Sequence, residues 1–535
     1  MTTPTAENGR PNLLLILADD MGYSDIGCFG SEIPTPHLDA LAAGGLRLTQ
    51  LYNCARCCPS RASLLTGLHP HQAGIGHMVH DYGLPSYQGY LRSDTVTLGE
   101  VLRAAGYRTG YAGKWHTGGF VGRGLKDRPH YRLGDPKRPI PTDRGFDRFY
   151  GNPAGGGSYF DPWPLVDQDR VVPTPDDFYT TDHYTTAALG FIEEAVGEGK
   201  PFFVHLCYNA PHWPLHARAE DIARHLGRYG AGWDAMRTAR HERLKAAKLL
   251  DPRWPISPRD AEAPPWSDVE WKDWEDARMA VYAAQVDRLD RNVGRCVERL
   301  RALGVLDRTL VVFVSDNGGS AEFLRENGRA EAENPFTREG RPVRFGNIPG
   351  LRPGGPDTFM SYGLPWANVS NAPFRRFKSW VHEGGIATPF VAHWPAAIAP
   401  GGVAHAPAHF IDLAATLIEV AGARYPADYN GHAIQPIEGE SFAPLLHGRA
   451  WTRSTPLCWE HEGNRAVRRG PWKLVRRYPG PWELYRLERD RTELDDLSGR
   501  HPDLVRELAA EYDRWAARCG VLEWDEVRAI RHARG

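Results

Sequence analysis

The sequence predicts an α/β fold, a central sheet flanked by helices, followed by a smaller α+β subdomain built from an antiparallel sheet and a helix. Three observations lead there. Short apolar runs alternate with amphipathic helical periodicity, the pattern of a sheet with crossover helices. Three of those runs end in polar clusters competent to bind metal or move protons, at the place where open α/β sheets hold ligands. After about residue 450 the texture shifts to short alternating strands and one amphipathic helix.

The first run, Leu13–Ala18, is apolar throughout, as a strand covered on both faces should be, and stops at Asp19-Asp20. His37–Ala43 and Leu98–Ala105 read as short helices. Ala187–Ala195, also helical, leads to a second buried strand, Phe202–Cys207, which runs into Asn209-Ala210-Pro211-His212. Asp251–Asp273 is irregular and rich in Trp and Pro. The clearest helix is Met279–Leu300, where Met279, Tyr282, Val286, Leu289, Val293, Val297 and Leu300 recur at three- and four-residue steps. A third strand, Leu310–Ser315, delivers Asp316-Asn317-Gly318 and opens a stretch rich in Gly, Pro and Arg, Gly318–Phe374. Structureless loops of such length are functional lids or mobile. Pro389–His393 is the fourth strand. Near the end, Arg465–Val475 and Trp482–Arg486 read as antiparallel strands and Asp503–Ala517 as a helix. The expected division is a catalytic domain over 1–450, with loop insertions near 251–273 and 318–374, and a C-terminal subdomain over 451–535.

Composition excludes several classes. The 64 basic and 66 acidic side chains leave a net charge of −2, which argues against nucleic acid or an anionic membrane as partner. Aromatic residues make up 11% of the chain, too many for a disordered protein. The eight cysteines, Cys28, Cys54, Cys57, Cys58, Cys207, Cys296, Cys458 and Cys519, are too sparse and uneven for a disulfide framework. No apolar run approaches the roughly 18 residues of a membrane span. The polar start, with no basic segment leading into an apolar one, sets cytoplasmic as the expected location.

Four short strings carry the chemistry. Cys57-Cys58-Pro59-Ser60-Arg61 continues to Leu65-Thr66-Gly67; a lone Cys-Pro pair would mean a proline in a helix's first turn beside a structural thiol. Asp19-Asp20 and Asp316-Asn317-Gly318 would each, alone, be solvated turns. Together they offer three carboxylates and an amide oxygen, a set suited to a hard cation, Ca²⁺ or Mg²⁺. In Gly106–His116, an extended backbone would aim Lys114 and His116 to one face; alone, the string would be an exposed lysine beside a packing Trp115. His212, an imidazole titrating near neutrality, is a suitable proton donor to an alkoxide.

The Cys57 string resembles the type I sulfatase signature, C-x-P-S-R, and Gly106–His116 is similar to that family's second signature. The frame fits Cys57 alone, because Cys54 lacks a proline two residues on and Cys58 has one immediately after. The likeness runs from Pro11-Asn12 through Thr35-Pro36-His37-Leu38-Asp39 to Trp482-Glu483-Leu484-Tyr485, and is strongest to bacterial arylsulfatases of the Pseudomonas type. It implies an alkaline-phosphatase-like core with a mixed central sheet. It further implies that a formylglycine-generating enzyme oxidises Cys57 to formylglycine, whose hydrate attacks the sulfur of a small-molecule sulfate ester. Asp19, Asp20, Asp316, Asn317 and the modified residue 57 would hold Ca²⁺, with Mg²⁺ admissible. Arg61 would hold residue 57 and the metal-side carboxylate, Lys114 and Lys378 the sulfate. His116 would act on the hydrate's second hydroxyl, Asp316 would take the nucleophile's proton, and His212 with Lys378 would meet the leaving oxygen. The chain departs from the family pattern at Ile386-Ala387-Thr388-Pro389, where the usual Gly-Gly-Ile-Arg-Val-Pro would supply an arginine.

A formylglycine-dependent phosphonate monoester or phosphodiester hydrolase would use nearly the same residues and is the principal alternative. A two-zinc phosphatase would need histidine where Asn317 stands, and an inactive binding protein would have no need of the intact nucleophile, metal and lysine positions. His77, His80, His216 and His382 could face the pocket but read first as structural or surface groups; Ser158, Tyr159 and Asp161, after Gly155–Gly157, are candidates for the substrate mouth. The two long loops would shape the leaving-group pocket, and aryl, sugar and anionic alcohols all remain open.

Overall fold

The computed structural model describes residues 9–122, 124–328 and 333–534. Its centre is an 11-stranded mixed sheet. The strands run in the order Gly402–Ala404, Leu46–Tyr52, Ala387–His393, Thr309–Ser315, Asn12–Asp19, Phe202–Pro211, Arg108–Lys114, Arg148–Asn152, Leu165–Asp167 and Arg170–Val172, with Ala408–His409 paired on Leu46–Tyr52. Asn12–Asp19 is parallel to both neighbours, Thr309–Ser315 and Phe202–Pro211.

Alternation along the central strand explains why it reads as a continuous apolar run. Leu13, Leu15 and Leu17 enter one core, with Phe203, Val312 and the helix Cys57–Thr66. Leu14, Ile16 and Ala18 enter the other, with Val204 and the helix Lys272–Ala302. A period of two on a sheet covered on both faces needs apolar residues at every position.

Strand direction then concentrates chemistry on one edge. Ala387–His393 is antiparallel to Thr309–Ser315 and to Leu46–Tyr52. Leu46–Tyr52 therefore points the same way as the central parallel strands, and its carboxyl end opens into Cys57. The amino end of Ala387–His393 lies on that same side, which brings in the segment carrying Lys378. Asp19, Lys114, His212 and Asp316 leave the carboxyl ends of the four remaining strands involved.

A four-stranded antiparallel sheet, Leu457–His461, Asn464–Arg469, Trp472–Arg476 and Trp482–Arg486, follows. One face packs Val467, Leu474 and Leu484 on Leu508, Tyr512 and Trp515 of the helix Pro502–Cys519. The other adds Trp459, Ala466 and Val475 to the main core. Buried ions rivet the seam: Lys473 Nζ lies 2.9 Å from Glu383 Oε1 and 2.7 Å from Glu493 Oε1, and Arg491 Nε lies 2.7 Å from Glu383 Oε2.

The structure extends several expected elements and changes others. The second strand runs on to Pro211, and the long helix starts seven residues earlier, at Lys272. The region Gly318–Phe374 is not uniformly irregular, since it contains the helix Gly363–Ser370, whose Trp366 and Val369 are buried. The backbone over Lys114–His116 is not extended: the strand stops at Lys114, and His116 adopts φ 55°.

Candidate active site

The helix Cys57–Thr66 starts at the cysteine itself, and all ten of its residues are buried. Its N-terminal N–H groups and dipole make an anion-binding end. Arg61, one turn in, reaches back across the sheet edge. Its Nε and Nη2 lie 2.9 and 2.8 Å from Asp316 Oδ2, and its Nη1 donates to the Lys114 carbonyl at 2.8 Å.

The two acidic strings meet although nearly 300 residues separate them. Asn317 Nδ2 donates to Asp20 Oδ1 at 2.7 Å, and the Asp20 backbone N–H donates to Asp316 Oδ1 at 3.2 Å. Lys114 pairs with Asp19 Oδ2. Asp19 Oδ1 and Asn317 Oδ1 are buried and have no hydrogen-bond partner among the described residues. Burial pushes the carboxyls up, Asp19 well above the usual range against the pull of Lys114, and Asp20 to about 6 against the pull of Lys378. Four oxygen-bearing side chains thus crowd one dry spot, at a cost that a cation would offset.

Across that spot stand Lys378, His212 and His116. Lys378 Nζ donates to Asp20 Oδ2 at 2.8 Å and lies 3.3 Å from His212 Nε2. His212 Nδ1–H donates to the Trp213 carbonyl at 2.5 Å, which leaves Nε2 as the acceptor. Burial, then the charges of Lys378 and Lys114, hold His212 well below the usual imidazole range. The imidazole is therefore neutral at neutral pH, contrary to the expectation of a group titrating there, whereas burial of the Lys378 ammonium is outweighed by Asp20 and Glu322, which raise it. Burial also lowers His116 to about 4. Its left-handed backbone, which costs a non-glycine residue about 1 kcal/mol or more, turns the ring onto the cysteine pair: His116, Cys57 and Cys58 bring their ligand atoms within 4.8 Å of one another. A Cβ on Gly155 would come 2.2 Å from His116 Nε2, so only glycine leaves room for that ring. The Cys58 thiol's hydrogen bond, with His116 and Lys114, holds Cys57 well below the usual thiol range despite burial.

Cys57, His116, His212 and Lys378 line one cleft of about 170 Å³. All ten residues expected at the site, Asp19, Asp20, Cys57, Arg61, Lys114, His116, His212, Asp316, Asn317 and Lys378, fall within this connected cluster.

Residues 11–423 match the family model described as Sulfatase. The chain belongs to the sulfatase family. Residues 375–515 also match the model described as N-sulphoglucosamine sulphohydrolase, C-terminal. An uncharacterised sulfatase of Schizosaccharomyces pombe is 32% identical over 97% of this chain and 95% of its own length. An arylsulfatase of Klebsiella aerogenes is 33% identical over 84% of this chain and 95% of its own. Among solved structures, that of Ps i-CgsB with k-i-k-neocarrahexaose aligns with a TM-score of 0.66 at 26% identity, covering 95% of this chain and 93% of that one. The fold is that of sulfatases with the alkaline-phosphatase-like mixed sheet, and the protein is a sulfatase enzyme acting on a sulfate ester.

One group of this sulfatase's site, Glu322, escapes sequence reasoning, and two that the sequence singles out, His80 and Tyr159, make contacts it does not foretell. Glu322 accepts from Trp213 Nε1 at 2.6 Å and pairs with Arg56 at 3.0 Å and Lys378 at 3.5 Å. Burial opposes its charge, but Lys378, Arg56 and His212 together hold the carboxyl well below the usual range. Nothing in the Gly-Gly-Ser-Ala string before it marks that role. His80, expected to be structural or at the surface, lines the cleft with its ring stacked on Phe120 at 4.6 Å. Tyr159 is not at a mouth: it is buried, and its hydroxyl donates to the carbonyls of Asn209 and His212 at 2.8 and 2.7 Å, fixing the turn that carries His212. Ser158 and Asp161 line a neighbouring pocket of about 120 Å³ with Trp163, His216 and Phe359. His382 is buried 3.5 Å from Glu483, away from the cleft lining.

Proposed function

We propose that this sulfatase cleaves a sulfate monoester through formylglycine at position 57, produced by a formylglycine-generating enzyme, with Ca²⁺ held by Asp19, Asp20, Asp316 and Asn317. The observation that carries the reading is the pair of buried oxygens that accept no hydrogen bond among the described residues, Asp19 Oδ1 and Asn317 Oδ1, beside two more carboxylates. Leaving one such acceptor dry costs about 1–3 kcal/mol, and an all-oxygen set with no sulfur or imidazole suits a hard cation. When bound, the cation lowers the pKa of a hydroxyl on residue 57 and draws charge from the sulfate oxygens.

The chain's own residues supply the rest. Lys114 and Lys378, with the N-terminus of Cys57–Thr66, gather the negative charge of the sulfate. Arg61 fixes Asp316 on the metal side, ready to take a proton from the attacking hydroxyl. At the other end of the scissile bond, Lys378 and His212, 3.3 Å apart, meet the departing oxygen, and the Lys378 ammonium is the protonated group of the pair. His116, neutral above about pH 4, takes the proton of residue 57's second hydroxyl when sulfate is expelled.

Met78, Val79, Phe120, Val121 and Trp213 give the cleft an apolar share suited to an aryl or alkyl leaving group, while Arg56, His80 and Glu322 line it with polar groups a sugar could use. Two measurements test the reading together: peptide mass at residue 57, and kcat/KM on a panel of aryl, alkyl and carbohydrate sulfates alongside an aryl phosphonate monoester. The aldehyde at 57 with aryl sulfate preferred supports it. Preference for the phosphonate replaces it with the phosphonate hydrolase, and unmodified Cys57 in active protein overturns it.

A further inference from the structure

Outside the catalytic cluster, three side chains converge where the C-terminal sheet meets the loop before Leu98. His461 ends the strand Leu457–His461, Glu462 forms the tight turn after it with φ 51°, and His77 comes from the facing loop. His77 Nε2 lies 3.1 Å and His461 Nε2 3.8 Å from the same oxygen, Glu462 Oε1. One donor atom from each residue lies within 4.8 Å of the other two. These separations are near the spacing of neighbouring ligands around a tetrahedral ion with bonds of about 2.0–2.2 Å.

Two further observations point to a ligand. Among the described residues, His461 is fully buried with neither ring nitrogen hydrogen-bonded, an arrangement that native cores avoid unless something else satisfies the group. His77 already has the outer partner that metal-bound imidazoles usually keep: its Nδ1 lies 3.1 Å from the Tyr82 hydroxyl, which leaves Nε2 facing Glu462. The ring is also packed by Trp524, 5.0 Å away. Arg56 also reaches Glu462 electrostatically, but its charge is shared with Glu322 at 3.0 Å.

We propose that His77, His461 and Glu462 form a second metal site, for a transition metal of the Zn²⁺ class, separate from the all-oxygen catalytic set. Two imidazoles and one carboxylate are a borderline donor set that zinc accepts and calcium does not favour. Three protein ligands leave a fourth position for water, reached past the partly exposed Glu462 side chain. The ion would tie the turn of the C-terminal sheet to the segment whose next residues, Met78, Val79 and His80, wall the substrate cleft. Its role is therefore to hold that wall, not to take part in the chemistry.

The test uses the full-length, calcium-loaded protein equilibrated with buffered zinc, followed by metal analysis and by the visible spectrum after cobalt substitution. The expected result is one retained zinc per chain and a tetrahedral cobalt spectrum. Glu462→Gln should weaken zinc by more than the roughly 10–100-fold loss typical of an outer partner, and Tyr82→Phe by about that range. Glu462 sits on a partly exposed turn, so its variant tests the site even if His461→Gln fails to fold. Calcium content should not change in either variant. No zinc retained at micromolar free metal, or equal retention by wild type and Glu462→Gln, would overturn the proposal.

Discussion

Arg61 presents Nε and Nη2 to one oxygen of Asp316, Oδ2, at 2.9 and 2.8 Å, leaving Oδ1 to accept the Asp20 N–H at 3.2 Å. The same guanidinium stands 3.8 Å from Asp19 Oδ1 and binds the Lys114 carbonyl. One side chain thus sets the relative positions of three strand ends and the helix Cys57–Thr66. Lysine keeps the charge but cannot make the fork. Arg61→Lys is expected to fold, by circular dichroism, while losing about 10²–10³ in kcat, the scale for removing one placed donor. Arg61→Ala leaves Asp316 buried and unpaired, and should lower stability by about 3–5 kcal/mol in a denaturant titration.

Adjacent thiols give a sharp discrimination. Cys57 lines the cleft, whereas Cys58 is fully buried behind it, 3.2 Å from His116 Nε2. On the proposed mechanism Cys57→Ala removes the nucleophile and should cost on the order of 10⁶ in kcat, as loss of the nucleophile does in other hydrolases. Cys58→Ala should keep the aldehyde at 57 by peptide mass and most of the turnover, with about 1 kcal/mol lost to the small cavity. Comparable inactivation by both changes would move the nucleophile's assignment.

The legible parts of this molecule are those whose physics is local. Leu13–Ala18 and Leu310–Ser315 show as strands because both faces are covered. Arg108–Lys114 does not, because its Gly110 and Gly113 are packing devices: a Cβ on Gly113 would sit 1.8 Å from the Cys207 carbonyl oxygen. Leu46–Tyr52 is likewise hidden by Arg47, Thr49 and Gln50, of which Thr49 is buried only through its place in the sheet. At the site, compact strings carry the nucleophile and the acidic groups, and their neighbours can be read off the residue types. Glu322 acts on Trp213 across 109 residues, so no local pattern marks it; Tyr159 stands out after a Gly-rich run, but its action on the His212 carbonyl across 53 residues does not. His116 shows the limit from the other side: its identity is legible, but its left-handed backbone depends on the room that Gly155 leaves.

Acid should open the seam between the two sheets. Burial disfavours the Glu383 carboxylate, yet Lys473, Arg491 and Arg468 outweigh it and hold the group at about 2. An unfolded glutamate titrates near 4.5, so the folded state binds its proton less readily. The resulting stability is fully present above about 4.5 and is lost as pH falls toward about 2, a contribution on the order of 3 kcal/mol. Glu383→Gln should therefore destabilise the protein at neutral pH and flatten its acid limb, read as melting temperature against pH. A variant whose acid limb matches the wild type would show that Glu383 is not the group responsible.

The leaving group should report which residues protonate it. Lys378 Nζ and His212 Nε2 are 3.3 Å apart, and Nδ1 is tied to the Trp213 carbonyl, so Nε2 is the ring nitrogen left to meet the departing oxygen. A nitrophenolate departs without a proton, whereas an alkoxide does not. His212→Ala should then reduce kcat/KM about 10²–10⁴-fold for an alkyl sulfate, the usual range for general acid catalysis, and far less for nitrophenyl sulfate. Across a series of phenyl sulfates, the slope of log(kcat/KM) against leaving-group pKa should steepen in His212→Ala and in Lys378→Met. A uniform loss, independent of leaving group, would instead assign the pair to holding sulfate. Because Lys378 also neutralises Asp20 at 2.8 Å, its variant should lower KM-type binding as well, and that added loss separates the lysine from the histidine.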